Sequence, residues 1–305
     1  MGAVSGVPQP FPYQGSKRQL ARQIVACIPR QTKRLVEPFA GSAAITLAAA
    51  QTGRAKRFLL NDAHPPLMAL WKKIVDEPER LASEYSSLWF AQTGQERKYY
   101  DQVRDHFNET NEPQLFLYLL ARCVKAAVRY NGSGKFNNSP DNRRLGMRPA
   151  TMRENLRHAS ALLRGRVRLA NQDYRDTLAD ATPEDVVYMD PPYQGVCDTR
   201  DHRYCRGVSF DSFSASLNDL NARQVPFIVS YDGRTGEKVH GQPLPARLDL
   251  LRLELHVGRS TQATLLGRND STVESLYLSP VLLDRLGAVP DCLKDEPEAS
   301  LFSDS

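Results

Sequence analysis

An acid, two prolines and an aromatic residue stand together at Asp190-Pro191-Pro192-Tyr193. The apolar run 186–189 precedes them and predicts a buried strand. Because proline cannot donate a ladder hydrogen bond and biases the preceding residue towards extended geometry, the strand must end here. A rigid corner at the carboxyl end of a strand lies where open α/β sheets bind ligands. The tetrapeptide therefore indicates a ligand site, with an ordinary proline-rich strand end as the alternative.

A second unit that could bind a ligand lies near the N-terminus. The pattern predicts a short strand before Glu37, a turn containing Gly41, an alanine-rich helix over 42–51, and a strand that ends at Asn61-Asp62. An acid at the end of the second strand is typical of a nucleotide-binding half-sheet. The three-glycine fingerprint that cradles a pyrophosphate is missing. A ligand with ribose and adenine but no phosphate fits better, and S-adenosylmethionine is one.

In that interpretation Asp62 binds the ribose hydroxyls and Glu37 lies near the positive end of the ligand. The alternative is an ordinary βαβ unit in which Asp62 caps a helix.

Apolar spacing predicts helices over 67–75, 79–90, 97–107 and 114–128, and another over 153–163. Further strands are predicted at 167–170, 186–189 and 226–231, with a final antiparallel pair at 248–257 and 273–278. The expected fold class is α/β, a Rossmann-like doubly wound mixed sheet with an inserted helical domain.

Positive charge is concentrated in one segment. Residues 122–168 hold twelve of the 40 Lys and Arg residues and two of the 35 acids, so the rest of the chain is net negative. Within the segment, residues 129–140 break helicity with Gly, Asn and Pro, and basic and aromatic side chains alternate there. Such a segment is expected of a footprint for a polyanion, with a solvated basic helix face as the alternative.

Composition excludes several classes of protein. The hydrophobic content of 41% and charged content of 25% are those of a soluble globular protein. No apolar run approaches the ~20 residues that cross a bilayer. Five scattered cysteines, an odd number, argue against a disulfide framework and favour a reduced, intracellular setting. Cys197 and Cys205 flank His202 at a spacing that fits no common zinc site, so no metal is expected. The six histidines form no cluster, which predicts structural or surface roles for all of them.

Together these motifs resemble the Dam-like (alpha-class) DNA adenine-N6 methyltransferases, in the order found in that family and over about residues 11–280. Pro12-Tyr13-Gln14-Gly15-Ser16-Lys17 is similar to the N-terminal cofactor motif, with Ser16 in place of the usual second glycine. Glu37-Pro38-Phe39-Ala40-Gly41-Ser42 is similar to the main cofactor motif, and Asp173-Tyr174 to the pair that holds the cofactor's adenine. The resemblance implies that S-adenosylmethionine is bound by Tyr13, Gly15, Lys17, Glu37, Pro38, Phe39, Gly41, Asp62, Asp173, Tyr174 and Asp190.

The same resemblance implies a DNA-contacting hairpin that begins at Arg129-Tyr130-Asn131. Two residues stand between Asn137 and Pro140, where family members often have one. The implied DNA-binding residues are Arg129, Asn131, Lys135, Asn137, Arg143 and Arg144. We predict that Lys135, at the tip, reaches DNA, while Arg129 supports the hairpin from within.

Asp190-Pro191-Pro192-Tyr193 is then the catalytic motif. The N6 amine of adenine is a poor nucleophile because its lone pair is delocalised into the ring. The Asp190 carboxylate and the Pro191 carbonyl, fixed by its ring, can accept the two amine hydrogens. Tyr193 offers a face on which the extruded base can stack. The chain has no Pro-Cys pair, which argues against the cytosine-C5 route.

The sequence therefore predicts a protein with the seven-stranded methyltransferase fold, which methylates adenine N6 in double-stranded DNA. The predicted catalytic domain comprises residues 1–64 and 165–288, the target-recognition domain 65–164, and a disordered tail 289–305. We expect a monomer in the cytoplasm, associated with the nucleoid, with a restriction endonuclease as a conceivable partner and no membrane contact. Alternatives are methylation of cytosine N4 or of RNA adenine, and a catalytically silent DNA-binding module. A dinucleotide-dependent oxidoreductase is disfavoured by the missing glycines.

Overall fold

A single mixed sheet organises the chain. The structure, a computed structural model, describes residues 6–192, 208–236, 238–259 and 271–293. The strands in this part of the chain are β1 (Thr32–Glu37), β2 (Ala55–Asn61), β3 (Val167–Ala170), β4 (Asp185–Met189), β5 (Phe227–Thr235), β6 (Lys238–His240), β7 (Leu251–Arg259) and β8 (Ser271–Leu278). Their order is β3-β2-β1-β4-β5-β8-β7, and β6 pairs with β5 off this path. The first five strands run parallel, and β8 is antiparallel to both β5 and β7. The predicted mixed methyltransferase sheet is confirmed, and only the short β6 was not predicted.

Residues 186–189 of β4 are all apolar because both faces of the sheet are covered there. Along β4, Val186 and Tyr188 belong to one hydrophobic cluster, whereas Val187 and Met189 belong to another on the opposite face. Successive side chains of a strand point to opposite faces, so a strand buried on both sides reads as a continuous apolar run.

The described helices are α1 (Ala21–Ala26), α2 (Ala44–Gln51), α3 (Pro65–Asp76), α4 (Pro78–Ala91), α5 (Glu96–Thr110), α6 (Pro113–Arg122), α7 (Pro149–Leu163), α8 (Tyr174–Ala179), α9 (Phe210–Ala222) and α10 (Pro280–Leu286).

Helices α3 to α7 lie between β2 and β3 in the chain, where a helical insert was predicted. Proline stands in the first turn of α3, α4, α6 and α7, where its missing N–H costs no helical hydrogen bond. Large buried side chains of the insert, such as Trp71 and Phe116, belong to the same cluster as Leu35 and Phe58 of the sheet. Helix α3 contacts β3, and α7 contacts α2. The insert therefore shares one core with a face of the sheet.

Helix α6 ends at Arg122, so the prediction of a helix over 114–128 is wrong beyond that residue. Cys123 turns to extended geometry and pairs with Pro140, and Lys125 and Ala126 have positive φ. The side chain of Asn138 donates hydrogen bonds to the carbonyls of Val124 and Ala127. These contacts satisfy backbone groups that a helix would otherwise satisfy internally, and apolar spacing alone carries no information about them.

The core extends further towards the C-terminus than predicted. Residues Asp291–Leu293 form a 3-10 turn that contacts α1, and Leu293 is buried. The first residues of the predicted tail, which was placed at 289–305, therefore contribute to the core, while residues 294–305 lie outside the described part. Strands β7 and β8 confirm the predicted antiparallel pair.

Candidate active site

A cleft of about 880 Å³ opens at the carboxyl ends of β1 and β4. From β1 the chain proceeds through β2 and β3 on one side of the sheet, and then through β4 and β5 on the other. The cleft therefore lies at the topological switch point, where open α/β sheets bind their ligands. The structure brings fourteen of the predicted site residues to its walls: Tyr13, Gly15, Lys17, Glu37, Pro38, Phe39, Gly41, Asp62, Arg129, Asp173, Tyr174, Asp190, Pro191 and Pro192. Tyr193 lies outside the described residues.

Asp190 follows the last residue of β4 and faces a buried lysine. Lys17 Nζ lies 3.0 Å from Asp190 Oδ2 and 3.4 Å from Glu274 Oε2. Burial raises the pKa of Asp190 to about 6, with Glu274 adding to the rise and Lys17 opposing it. The carboxylate is thus held in place by one cation that it shares with a second acid. Glu274, on β8, was not among the predicted site residues.

Glu37 ends β1 and is buried at the floor of the cleft. Its Oε2 accepts hydrogen bonds from the hydroxyl and the backbone N–H of Thr46, at 2.6 and 3.3 Å. Burial raises the pKa of Glu37 to about 8, and the neighbouring Asp190 and Asp62 carboxylates raise it further against the Thr46 hydrogen bonds. The side chain is therefore fixed by Thr46, and no cation of the described residues forms an ion pair with it.

Asp62 is held between two backbone donors. Its Oδ2 accepts from Gly41 N at 3.1 Å and its Oδ1 from His64 N at 3.0 Å. Gly41 has a φ of +46°, and a Cβ on it would meet the Tyr13 ring at 3.3 Å, so glycine suits this turn. Burial raises the pKa of Asp62. Because His64 is itself the N-cap residue of α3, Asp62 does not cap the first turn in the usual way.

Buried Asn61 fixes the spacing of three strand ends. Its amide nitrogen donates to the carbonyls of Pro38 and Gln172, at 3.0 and 3.1 Å, and its Oδ1 accepts from Gln172 N at 3.0 Å. The loops after β1 and β3 are thereby tied to the end of β2. An asparagine before an acid gave no indication of this role in the sequence.

Asp173 and Tyr174 begin α8 at the side of the cleft. Asp173 caps the helix by accepting from Arg175 N and also pairs with the Arg175 guanidinium, which lowers its pKa. The Tyr174 ring lies 5.2 Å from that of Phe39 and 6.2 Å from that of Phe213, measured between centroids. Tyr174 and Phe39 line this wall of the cleft, and the buried Phe213 packs beside them.

Residues 129–137 form a hairpin, as predicted. Tyr130 pairs with Phe136, Asn137 N donates to Arg129 O at 2.9 Å, and Asn131 N donates to Lys135 O at 2.8 Å. Asn131 Oδ1 accepts the N–H groups of two residues of the turn, so this predicted DNA contact also shapes the tip. Lys135 and Asn137 are exposed. Arg129 is exposed as well and lines the cleft, so the prediction that it supports the hairpin from within is wrong.

Arg143 and Arg144 project from a loop after the hairpin, with 80% and 79% of their side chains exposed. Buried side chains hold the carbonyl groups of this loop. Tyr85 donates to Met147 O at 2.6 Å, Gln92 to Leu145 O at 3.0 Å, and Arg122 to Asp141 O at 2.9 Å. The loop therefore presents two cations from a fixed backbone.

Metal sites and membrane-spanning helices are the remaining features to consider. Among the described residues, no group of three or more His, Cys, Asp or Glu side chains could hold a metal ion. Cys197, His202 and Cys205 lie outside those residues. In the same part of the chain no helix is both long and apolar enough to span a membrane.

Residues 13–247 match a family described as D12 class N6 adenine-specific DNA methyltransferase. The chain is 31% identical over 201 residues to the type II methyltransferase M.MjaIII of Methanocaldococcus jannaschii, covering 60% of this chain and 68% of that protein. It is 33% identical over 189 residues to the retron Ec67 DNA adenine methylase of Escherichia coli, covering 60% and 62%. A DNA adenine methylase of Vibrio cholerae is 26% identical over 213 residues, covering 68% and 73%. The aligned parts span roughly two thirds of these relatives.

Proposed function

The chain belongs to the D12 class of N6 adenine-specific DNA methyltransferases, and we propose that it methylates N6 of an adenine flipped out of duplex DNA at a specific site. Methyltransferases of this kind use S-adenosylmethionine. The observation that carries the proposal is the position of Asp190, at the end of β4 and in the wall of a cleft that Glu37 and Asp62 also line.

The charges of the cleft suit a cationic cofactor. Among the described residues no ion pair joins Glu37 or Asp62 to a cation, and both have raised pKa values because they are buried. A ligand that carries a sulfonium and an ammonium would favour the charged form of both carboxyl groups and so offset the effect of burial. We propose that Asp62 binds the ribose hydroxyls, that Glu37 lies near the positive end, and that Phe39 and Tyr174 flank the adenine. When bound, the cofactor supplies an activated methyl group.

The chain's own residues then act on the target amine. The Asp190 carboxylate and the Pro191 carbonyl would accept its two hydrogens, which draws electron density onto the nitrogen. Lys17, which is itself only 7% exposed, holds Asp190 in place. We propose that Tyr193, with Pro192 before it, stacks on the base.

For the DNA contacts we propose the hairpin and the loop after it. Arg129, Lys135, Arg143 and Arg144 are exposed on these segments and can bind phosphates or base edges. Asn131 and Asn137 complete the proposed set. Contacts with the DNA phosphates would offset the few kcal/mol that base flipping costs.

Finer points of assembly and context belong to the proposal too. We propose residues 1–64 and 165–288 as the catalytic domain and 65–164 as the target-recognition domain. The chain would act as a monomer on DNA, in the cytoplasm and at the nucleoid. A cognate restriction endonuclease is the proposed partner, because one similar protein is a type II methyltransferase.

Sequencing of modified bases tests the activity directly. DNA from a methylation-free host that expresses the chain should carry N6-methyladenine at one short recurrent sequence. N4-methylcytosine instead would establish the rival amine chemistry. DNA without any new modification, in a host where the protein is folded and abundant, would leave a silent DNA-binding module as the better description.

We expect Asp62→Ala to weaken S-adenosylmethionine binding by about tenfold or more, because loss of a charged hydrogen-bond acceptor costs roughly 1.5–3 kcal/mol. Isothermal calorimetry measures the change. Asp76→Ala, at the exposed end of α3, is a matched control and should bind like the parent. Equal affinity of Asp62→Ala and the parent would mean that Asp62 only orders the loop at Gly41.

A further inference from the structure

A partly buried hydrogen bond joins the cofactor side of the cleft to the base of the hairpin. His64 Nε2 lies 2.6 Å from the Tyr130 hydroxyl. His64 also donates its backbone N–H to the Asp62 carboxylate, and Tyr130 pairs with Phe136 across the hairpin. A continuous chain of contacts therefore runs from Asp62 to the hairpin.

The rings along this path leave little room for independent movement. The His64 ring meets Tyr130 and Phe116 edge-on, at 5.5 and 5.4 Å between centroids. Tyr130 in turn meets Phe136 edge-on at 5.9 Å. His64 is buried, and desolvation lowers its pKa to about 3, so the imidazole is neutral near pH 7. The hydrogen bond therefore does not depend on protonation in the working range.

The walls of the cleft show that both ends of the path reach the ligand space. Asp62 and His64 line it from the sheet side, and Arg129 and Tyr130 line it from the hairpin side. A ligand in the cleft and a duplex on the hairpin would thus each fix one partner of the same hydrogen bond.

We propose that His64 and Tyr130 are positioning residues that couple cofactor binding to DNA binding, so that each ligand strengthens the other. This inference rests on the proposed function, because it requires the cofactor at Asp62 and DNA on the hairpin. By thermodynamic linkage the factor must be the same in both directions. Neither residue needs to touch the reacting atoms.

The test measures the affinity of the protein for S-adenosylhomocysteine, which permits no turnover. The measurement is made with and without a saturating duplex that carries the sequence at which the enzyme methylates adenine. We expect the parent to bind S-adenosylhomocysteine at least about fivefold more tightly with DNA, which lies at the low end of typical coupling between two sites. Tyr130→Phe keeps the ring but removes the hydroxyl, and the factor should fall to about twofold or less.

Tyr100→Phe is the matched control. The Tyr100 hydroxyl donates to Asn138 O at 3.0 Å, directly after the returning arm of the hairpin, and this hydrogen bond is buried. Removing it loosens the hairpin without cutting the path to Asp62, so this variant should keep the coupling factor of the parent. A parent factor of one, a Tyr130→Phe factor equal to the parent's, or an equal loss in Tyr100→Phe would each overturn the inference.

A second variant separates coupling from folding. His64→Asn places a favoured N-cap residue at the start of α3, where the histidine side chain makes no capping hydrogen bond. Its shorter side chain cannot reach Tyr130, so coupling should be lost in a folded protein, and retained coupling would count against the link. A parent that binds neither ligand would overturn the proposed function as well, whereas binding of both without coupling overturns this inference alone.

Discussion

Asp190→Ala is expected to lower the rate of methyl transfer at least about 100-fold, equivalent to ~2.7 kcal/mol of barrier. The carboxylate is the proposed acceptor for one hydrogen of the target amine, and alanine offers none. The variant should still fold, because Lys17 keeps Glu274 as a partner at 3.4 Å when Asp190 is removed. Single-turnover rates with saturating cofactor and DNA measure the loss.

Cofactor binding provides the control for that variant. Because the proposed role of Asp190 is towards the base, calorimetric affinity for S-adenosylmethionine should change much less than the rate. Asp232 provides a matched control, since it is also buried next to β8 but binds Tyr277 away from the cleft; Asp232→Asn should keep its activity. More than a few per cent residual activity in Asp190→Ala would assign the amine acceptor to another group.

The pH dependence of kcat/KM should report the ionisation of the Asp190 carboxyl group. Asp190 must be ionised to accept the amine hydrogen, and burial raises its pKa to about 6. Below that pH the protonated fraction grows, so kcat/KM for DNA at saturating cofactor should fall about tenfold per pH unit. Since Glu274 contributes to the raised pKa, Glu274→Gln should move the acid limb to lower pH. An acid limb near pH 4 in the parent, or one that Glu274→Gln leaves unmoved, would contradict this assignment.

The strands of the sheet were predictable because the signal for each of them lies within its own residues. Strands covered on both faces must be apolar at every position, and the run that ends at Met189 needs no partner to be recognised. The ends of the parallel strands then meet at one edge, so Glu37 and Asp190 had to approach each other once the strand order placed β1 beside β4. The residues of the cleft followed from that order and from the motifs.

What the sequence could not predict depends on contacts between distant segments. Glu274 reaches Lys17 only because β8 runs antiparallel between β5 and β7. Helix α6 ends early because Asn138, directly after the hairpin, donates to the carbonyls that follow the helix. A lone histidine in a sequence without a histidine cluster gives no sign that its ring will meet Tyr130. In each case the deciding partner is far away in the chain.

Binding to duplex DNA should weaken steeply with salt, which is the second large effect expected. Residues 122–168 hold ten more basic than acidic side chains, and released counterions lower log affinity by about 0.9 per phosphate contact for each log unit of salt. With about six contacts, affinity should fall roughly a thousandfold between about 50 and 200 mM salt. Fluorescence anisotropy of a labelled duplex measures the slope.

The variant Lys135→Ala then tests whether the tip of the hairpin contacts DNA, and whether it contacts a phosphate or a base. Lys135 is exposed beside Gly134, whose φ of +70° makes the turn at the tip. As a phosphate contact its loss would weaken binding to all duplexes alike and lower the salt slope by about one. As a base contact its loss would instead relax preference at one position of the site, by about 1–3 kcal/mol. Lys98→Ala, an exposed lysine on α5 outside the basic segment, should match the parent in both respects. If Lys135→Ala also matched the parent on every duplex, or if binding ignored salt, the hairpin would not be the DNA interface.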